Sequence, residues 1–292
     1  MVTDLSLPRV SRLIGRVRIA QLCALFFPLL PVPALAQSLA ASVLPSARSV
    51  RVNTAATAFA MIVNAGTRDL LGCGIAPITS VPALFVYQAT DPASNQPTGP
   101  SNTPVPIPAG GFRTFVFALT PTAPFNPTEV QFSFRCMNAT PASVVPGMNT
   151  LILSASTQPL LDVVALTATH LNDGIVTVLS AGSIGTFAVA AVNAGATGQV
   201  TVHADTGGTS LPLSALLCET SQATGHCISG LAPSLVISLN HGSTSAFGVF
   251  VTASGSIPFD PARNRVFVRF RDQGGIVRGL TGVAVRTGAP HP

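Results

Sequence analysis

The chain repeats itself. FAMIVNAG (59–66) returns as FAVAAVNAG (187–195) with one residue of slippage, and further segments follow in the same order in both halves. DLLGCGIA (69–76) lies over GQVTVHAD (198–205), and VYQATDPASNQPTG (86–99) over LCETSQATGHCISG (217–230). PFNP (124–127) lies over PFDP (258–261), and EVQFSFRC (129–136) over RVFVRFRD (265–272). Matches kept in one order define a tandem unit of about 120 to 130 residues, with a boundary near STQPL (156–160). A unit of that length is long enough to bury a core of its own.

What the unit folds into follows from its punctuation. Gly, Pro, Asn and Asp divide the sequence into short runs, several alternating with period two: SVRVN (49–53), ALFVYQAT (83–90), RTFVFALT (113–120), NTLILSAS (149–156), DVVALTAT (162–169) and GVAVRT (282–287). With 25 Gly and 25 Pro, sustained helical periodicity has no room. The expectation is an all-β protein. The alternation also assigns faces. Val130, Phe132, Phe134 and Cys136 point inward, as do Val266, Val268 and Phe270, while Arg265, Phe267, Arg269 and Arg271 share the other face. Leu71, Cys73 and Ile75 are expected inward over Val200, Val202 and Ala204. Asn64-Ala65-Gly66 and Asn193-Ala194-Gly195 read as turns in which Asn and Gly tolerate positive φ.

Residues 1–36 read as a cleavable secretory signal rather than as fold. Arg9, Arg12, Arg16 and Arg18 form the basic part, Ile19 to Leu30 the apolar part, and Pro31 to Ala36 (PVPALA) the cleavage boundary. Prolines crowd its end, and the apolar stretch is shorter than the roughly 20 residues of a membrane span. Four of the fifteen basic residues and one of the ten acids fall in this segment, leaving eleven Arg against nine acids. So balanced a remainder gives no basic excess for nucleic acid. Lys is absent, which excludes Schiff-base, Ser-Lys and phosphate-loop lysine chemistry. No stretch after residue 36 approaches a membrane span. A periplasmic or extracellular address is expected.

An alternating strand ending in V-N-x-G, a second alternating strand, a hairpin and a later Gly-led strand such as AGGFRTFVFAL (109–119) resemble the immunoglobulin-like β-sandwich modules of bacterial surface proteins, including cell-adhesion-related (CARDB-like) domains. The resemblance covers nearly all of 46–288. It implies two tandem Ig-like β-sandwiches, 37–158 and 159–288, with a tail at 289–292. It also implies work as stalks, spacers or adhesive units without catalysis.

Four cysteines follow the signal segment, an even number that suits a disulfide framework with three possible connectivities. Cys73 and Cys136 belong to the first unit, where the second has Val202 and Asp272. Cys218 and Cys227 belong to the second, over Tyr87 and Gln96. Pairs present or absent together are most simply Cys73 with Cys136, stapling two strands through the core, and Cys218 with Cys227, across a hairpin. The chain-entropy model gives the first loop about 4 kcal/mol and the second about 2 to 3 kcal/mol. Metal binding by Cys218, Cys227 and His226 is the weaker alternative, because the set lacks a full tetrahedron of ligands.

For chemistry there is little material. Five His and two Glu come without a nucleophile elbow, a zinc-binding helix motif or an acidic calcium loop. No metal, cofactor or catalysis is expected. Asn172-Asp173-Gly174 reads as a hairpin turn, His203 as a solvated or edge residue, and Asp205 and Asp260 as turn caps. Arg265, Arg269 and Arg271 form a row on one face and are the candidate ligand-binding residues, since guanidinium forks suit carboxylates and phosphates. The competing account is a solvated face that blunts edge pairing. Three functions fit: a non-catalytic surface or periplasmic interaction module with a protein or envelope partner, a binding module for an anionic envelope glycan, and a periplasmic pilus-type chaperone. The last ordinarily anchors clients with basic residues that include Lys.

Overall fold

In the computed structural model, which describes residues 39–288, the turn-forming residues leave eighteen strands in four sheets. The expected signal segment and the tail lie outside the described residues. The first nine strands are β1 (Leu39–Leu44), β2 (Ala47–Arg51), β3 (Ala56–Asn64), β4 (Leu70–Pro77), β5 (Ala83–Thr90), β6 (Val105–Ile107), β7 (Phe112–Pro121), β8 (Phe125–Arg135) and β9 (Thr150–Ser156). The next nine are β10 (Val163–Thr169), β11 (Ile175–Val178), β12 (Ile184–Asn193), β13 (Gly198–Asp205), β14 (Leu213–Thr220), β15 (Ser234–Leu239), β16 (Thr244–Ala253), β17 (Arg265–Asp272) and β18 (Val277–Thr287). One sheet of the first set runs β1-β3-β7-β5 and the other β2-β9-β8-β4-β6; the second set repeats this as β10-β12-β16-β14 and β11-β18-β17-β13-β15. Even the unusual join recurs, because β2 pairs parallel with β9 and β11 parallel with β18. The sequence repeat is thus also a repeat of strand order.

Each set closes on its own core. The first core is aromatic: Phe115, Phe117, Phe132 and Phe134 are fully buried, with the Phe117 and Phe132 rings 4.9 Å apart. The second is built from Val189, Val200, Val202, Val249, Val251, Val266 and Val268 around Phe247 and Phe270. Burying each such side chain contributes roughly 1.5–3 kcal/mol. Alternation places all of these core residues correctly, but it misplaces Leu71 in β4. Leu71 is 52% exposed while Leu70 is buried, because the register of β4 shifts between Leu70 and Cys73 and Gly72 takes φ +56°. That bulge inserts a residue and turns Leu71 outward.

The two V-N-A-G motifs do a different job from the one their composition suggests. Neither Asn64, Gly66, Asn193 nor Gly195 adopts positive φ. Instead each Asn side chain is buried and fastens backbone. Asn64 Nδ2 donates to the carbonyls of Arg68 (2.8 Å) and Pro108 (2.9 Å), and its Oδ1 accepts from Gly66 N. Asn193 Nδ2 donates to Ala196 O (2.8 Å) and Leu239 O (3.1 Å), and Oδ1 accepts from Gly195 N and Asp162 N. Gly195 is required by crowding: a Cβ there would stand 2.1 Å from Leu160 O.

Disulfides join Cys73 to Cys136 and Cys218 to Cys227. The first bridges neighbouring strands of one sheet, since Gly74 pairs with Arg135 between β4 and β8, and so does not cross the sandwich. The second fastens the loop after β14 to that strand. Thr90 pairs with Pro97, and Thr220 with Cys227, so the cysteines stand over Gln88 and Pro97, one residue on from the positions sequence matching gave. In the first set Gln88 Nε2 holds the same loop by donating to Gly99 O. Asn172-Asp173-Gly174 does turn with positive φ at Asn172 and Gly174, yet it carries the chain from β10 to β11 in a different sheet, so it is not a hairpin.

Candidate functional site

The two sets meet where β2 and β9 approach β10, β17 and β18, around a small third core of Ala47, Phe267 and Leu280 with Ile152 and Val277 beside it. Phe267 lies on the face that alternation marks as polar, yet it is buried. Glycines make room for it: a Cβ on Gly147, Gly207 or Gly282 would come within 2.7 Å of its ring. The Arg265 and Arg269 guanidiniums stand 5.7 and 5.3 Å from its centroid.

Polar groups tie the same junction. Arg48 Nε and Nη2 on β2 donate to both oxygens of Asp162 at 2.9–3.2 Å, with side chains 12% and 5% exposed. Ser49 N donates to Asp162 Oδ1 at 2.9 Å. Because Asp162 N is held by Asn193, the second V-N-A-G motif positions this carboxylate. Arg278 Nε donates to Asp272 Oδ2 at 2.7 Å, and its Nη1 reaches Ser154 Oγ across the junction at 3.2 Å.

Of the candidate arginine row, Arg265 and Arg269 flank Phe267 at this junction, while Arg271 is bonded within its own turn. Arg265 is only 9% exposed, with Nη1 donating to Pro261 O and Nη2 to Gly282 O. Burial pushes its pKa down, while the two carbonyls hold the cation. Arg269 Nε donates to Asp205 Oδ2 at 2.7 Å, and Arg271 Nη1 to Gly275 O at 2.9 Å. These arginines do not blunt a sheet edge, since β17 is an inner strand flanked by β18 and β13.

Asp205 gathers several partners. Burial works to raise its pKa, but His203 Nε2 at 3.2 Å, Arg269 and the Gly207 N–H outweigh it and hold the carboxyl below the usual range. His203 is therefore paired rather than merely solvated. The nearby Thr206 hydroxyl donates to Thr209 O. No group of three or more His, Cys, Asp or Glu among the described residues is placed to hold a metal.

Two clefts open at the junction. One, of about 400 Å³, is lined by Glu129, Gly147, Arg263, Arg265, Phe267 and Arg269. The other, of about 370 Å³, is lined by Arg48, Arg51, Leu160, Asp162, Gly195 and His241. In the first Asp205 pairs with Arg269, and in the second Asp162 pairs with Arg48.

The surfaces away from the junction are chemically plainer. On the outer face of β1-β3-β7-β5 stand Thr57, Phe59, Met61 and Val63, then Phe112, Thr114, Val116, Ala118 and Thr120, flanked by Leu84, Val86 and Gln88. On β10-β12-β16-β14 the outward residues include Leu166, Ile184, Ala188, Ala190, Val192, Leu216, Ala246 and Phe250. The outward positions of these strands carry no charged residue, since Arg113 on β7 and Glu219 on β14 fall on the inward alternation, and Phe59, Leu84, Phe112, Leu166, Ile184 and Leu216 are all exposed.

Alternation alone did not single out Arg48, Asp162, Arg278 or Phe267. The one signal available was an aromatic residue interrupting a row of arginines.

No protein-family model and no curated protein matches the chain. Among solved structures it is similar to the secreted serine protease VesC from Vibrio cholerae, at 12% identity with a TM-score of 0.25 over 84% of this chain and 51% of that one. It thus spans about half of that chain's length. It is also similar to a chain in a chaperone and tip-adhesin complex described as vital for synergistic activation of CFA/I fimbriae biogenesis, at 8% identity with a TM-score of 0.23, over 82% of this chain and 98% of that one. Among the described residues no helix is long and apolar enough to cross a membrane.

Proposed function

We propose that the protein is an exported, non-catalytic interaction or structural protein, built of two immunoglobulin-like β-sandwiches (37–158 and 159–288), that offers sheet surfaces to a protein partner or envelope component. The pair of charge-free outer faces carries this reading. Contiguous exposed apolar surface marks contact sites rather than solvated walls, and these faces present Phe59, Phe112 and Leu84 on one sandwich and Leu166, Ile184 and Leu216 on the other.

Strand order supports the immunoglobulin-like assignment: β1-β3-β7-β5 corresponds to an A-B-E-D sheet, and β9-β8-β4 to G-F-C, with β6 added beyond. Two disulfides and the signal-like residues 1–36 support an oxidising address, periplasmic or extracellular. The arginine row favours a structural role over capture of an anionic glycan, because all three guanidiniums are bonded within the chain.

The test places a photocrosslinking residue at Phe59, Leu84 or Ile184, or at exposed Leu179 as a control, in the cells that make the protein. Adducts are expected from the first three positions only, with those from Phe59 and Leu84 lost when Phe112→Asp is added. The reading is overturned if adducts are absent or evenly distributed, or if the mature chain is cytoplasmic and retains residues 1–36.

A further inference from the structure

The two sets differ at the edge beyond their inner sheets. In the first set the outermost strand is β6, three residues long with Pro106 at its centre, a length and residue that block pairing with another chain. Its counterpart β15 has six residues, SLVISL, without charge, proline or glycine, and ends the order β11-β18-β17-β13-β15. Leu235 and Ile237 turn toward the second core, while Ser234, Val236 and Ser238 face outward; Val236 is 61% exposed. Such an edge is a template for strand addition.

The order of residues on β15 identifies what fits it. Read in either direction from Val236, the strand presents an aliphatic residue and then a serine. In an antiparallel pair of two copies, Val236 meets Val236, Leu235 meets Ile237, and Ser234 meets Ser238. Inward aliphatics would join the two cores, and outward serines would meet serines. We infer that β15 is a homodimerisation edge, at which a second copy of this chain extends the five-stranded sheet across a two-fold axis.

Charge does not oppose this arrangement. The next strand, β13, places Gln199, Thr201 and His203 beside β15, and Arg271 stands opposite Thr201 one strand further in. At about 4.8 Å per strand, two Arg271 residues related by the axis are roughly 24 Å apart, beyond the ~8 Å screening length at physiological salt. A pairing of this short length belongs to the small, weak class of interfaces, so dimerisation is concentration-dependent. A two-fold pairing uses each edge once and closes, whereas a head-to-tail contact would build filaments.

Sedimentation equilibrium of the purified mature protein over a wide concentration range reads this directly. The weight-average mass is expected to rise toward twice the monomer. Val236→Lys, which sets two cations against each other at the axis, is expected to weaken association at least about tenfold, with the unfolding temperature unchanged. In a second assay, Val236→Cys forms an intermolecular disulfide under mild oxidation much faster than Leu179→Cys, an exposed site elsewhere. A protein monomeric at every concentration, a dimer that persists in Val236→Lys, or equal cross-linking of the two cysteine variants overturns the inference. So does an edge that takes up only an added foreign strand.

Discussion

Arg48 and Asp162 form a two-pronged ion pair between the two halves, with Nε and Nη2 each within 3.2 Å of a carboxylate oxygen and both side chains nearly closed to solvent. Asp162 also accepts from Ser49 N and is anchored through its own N–H by Asn193. The carboxylate is thus built into the second half and offered to the first.

A buried pair of this kind is costly to halve. Asp162→Ala leaves the Arg48 cation without its partner and is expected to lower unfolding free energy by about 3–5 kcal/mol, whereas the double change Arg48→Met with Asp162→Leu recovers most of it. Urea unfolding of the parent, Asp162→Ala and the double variant checks this. A single-variant cost of the ~0–1 kcal/mol typical of surface pairs would show that the contact does not brace the junction.

The V-N-A-G motif makes a related prediction. Asn193→Ala removes two donors from buried carbonyls and is expected to cost roughly 2–3 kcal/mol. Gly195→Ala drives a methyl against Leu160 O and Asp162 N, and a further ~1–3 kcal/mol loss is expected. Gly230→Ala, where a Cβ meets nothing within 4 Å, serves as control and should stay within ~0.5 kcal/mol. Thermal and denaturant unfolding of the three variants would expose a merely decorative motif.

The two disulfides should differ in access to reductant. Cys73 and Cys136 are buried, whereas Cys227 sits on an exposed loop. Under native conditions with dithiothreitol, alkylation is expected first at Cys218 and Cys227, and at Cys73 and Cys136 only once the fold opens. Mass spectrometry of timed samples settles the order. Serine replacement of the second pair is expected to cost about 2–3 kcal/mol.

Acid should act partly through Asp205. Its folded pKa lies below its unfolded value near 3.9, so the native state binds its proton less readily than the unfolded chain. The stability this contributes is complete above about pH 4 and is lost as pH falls through the folded pKa. Unfolding temperatures measured from pH 5 downward should therefore drop less steeply for Asp205→Asn than for the parent. Parallel curves would remove Asp205 from the account.

Much of the architecture was legible in the linear chain, because the period of two in a strand is local: Val130, Phe132 and Phe134 had to share a face once β8 formed. That local period is broken where an extra residue enters, as at Leu71, and is overridden where a second layer covers a strand's outer face, as at Phe267. The V-N-A-G motif was visible as a repeat, but its role was not, since the carbonyls held by Asn64 and Asn193 include those of Ile107 and Leu239, more than forty residues away.

The strand-rich class, the duplication and most of the inward positions are written in the linear chain, since each follows from repeated segments, side-chain periodicity and turn chemistry within a few residues. Long-range packing set Arg265 and Arg269 around Phe267 at the junction, brought Arg48 to Asp162, and left the outward positions of two sheets without charge. Those outcomes depend on which strands become neighbours, and a residue's partner across a sheet or between two sandwiches is set by long-range packing that no local pattern encodes.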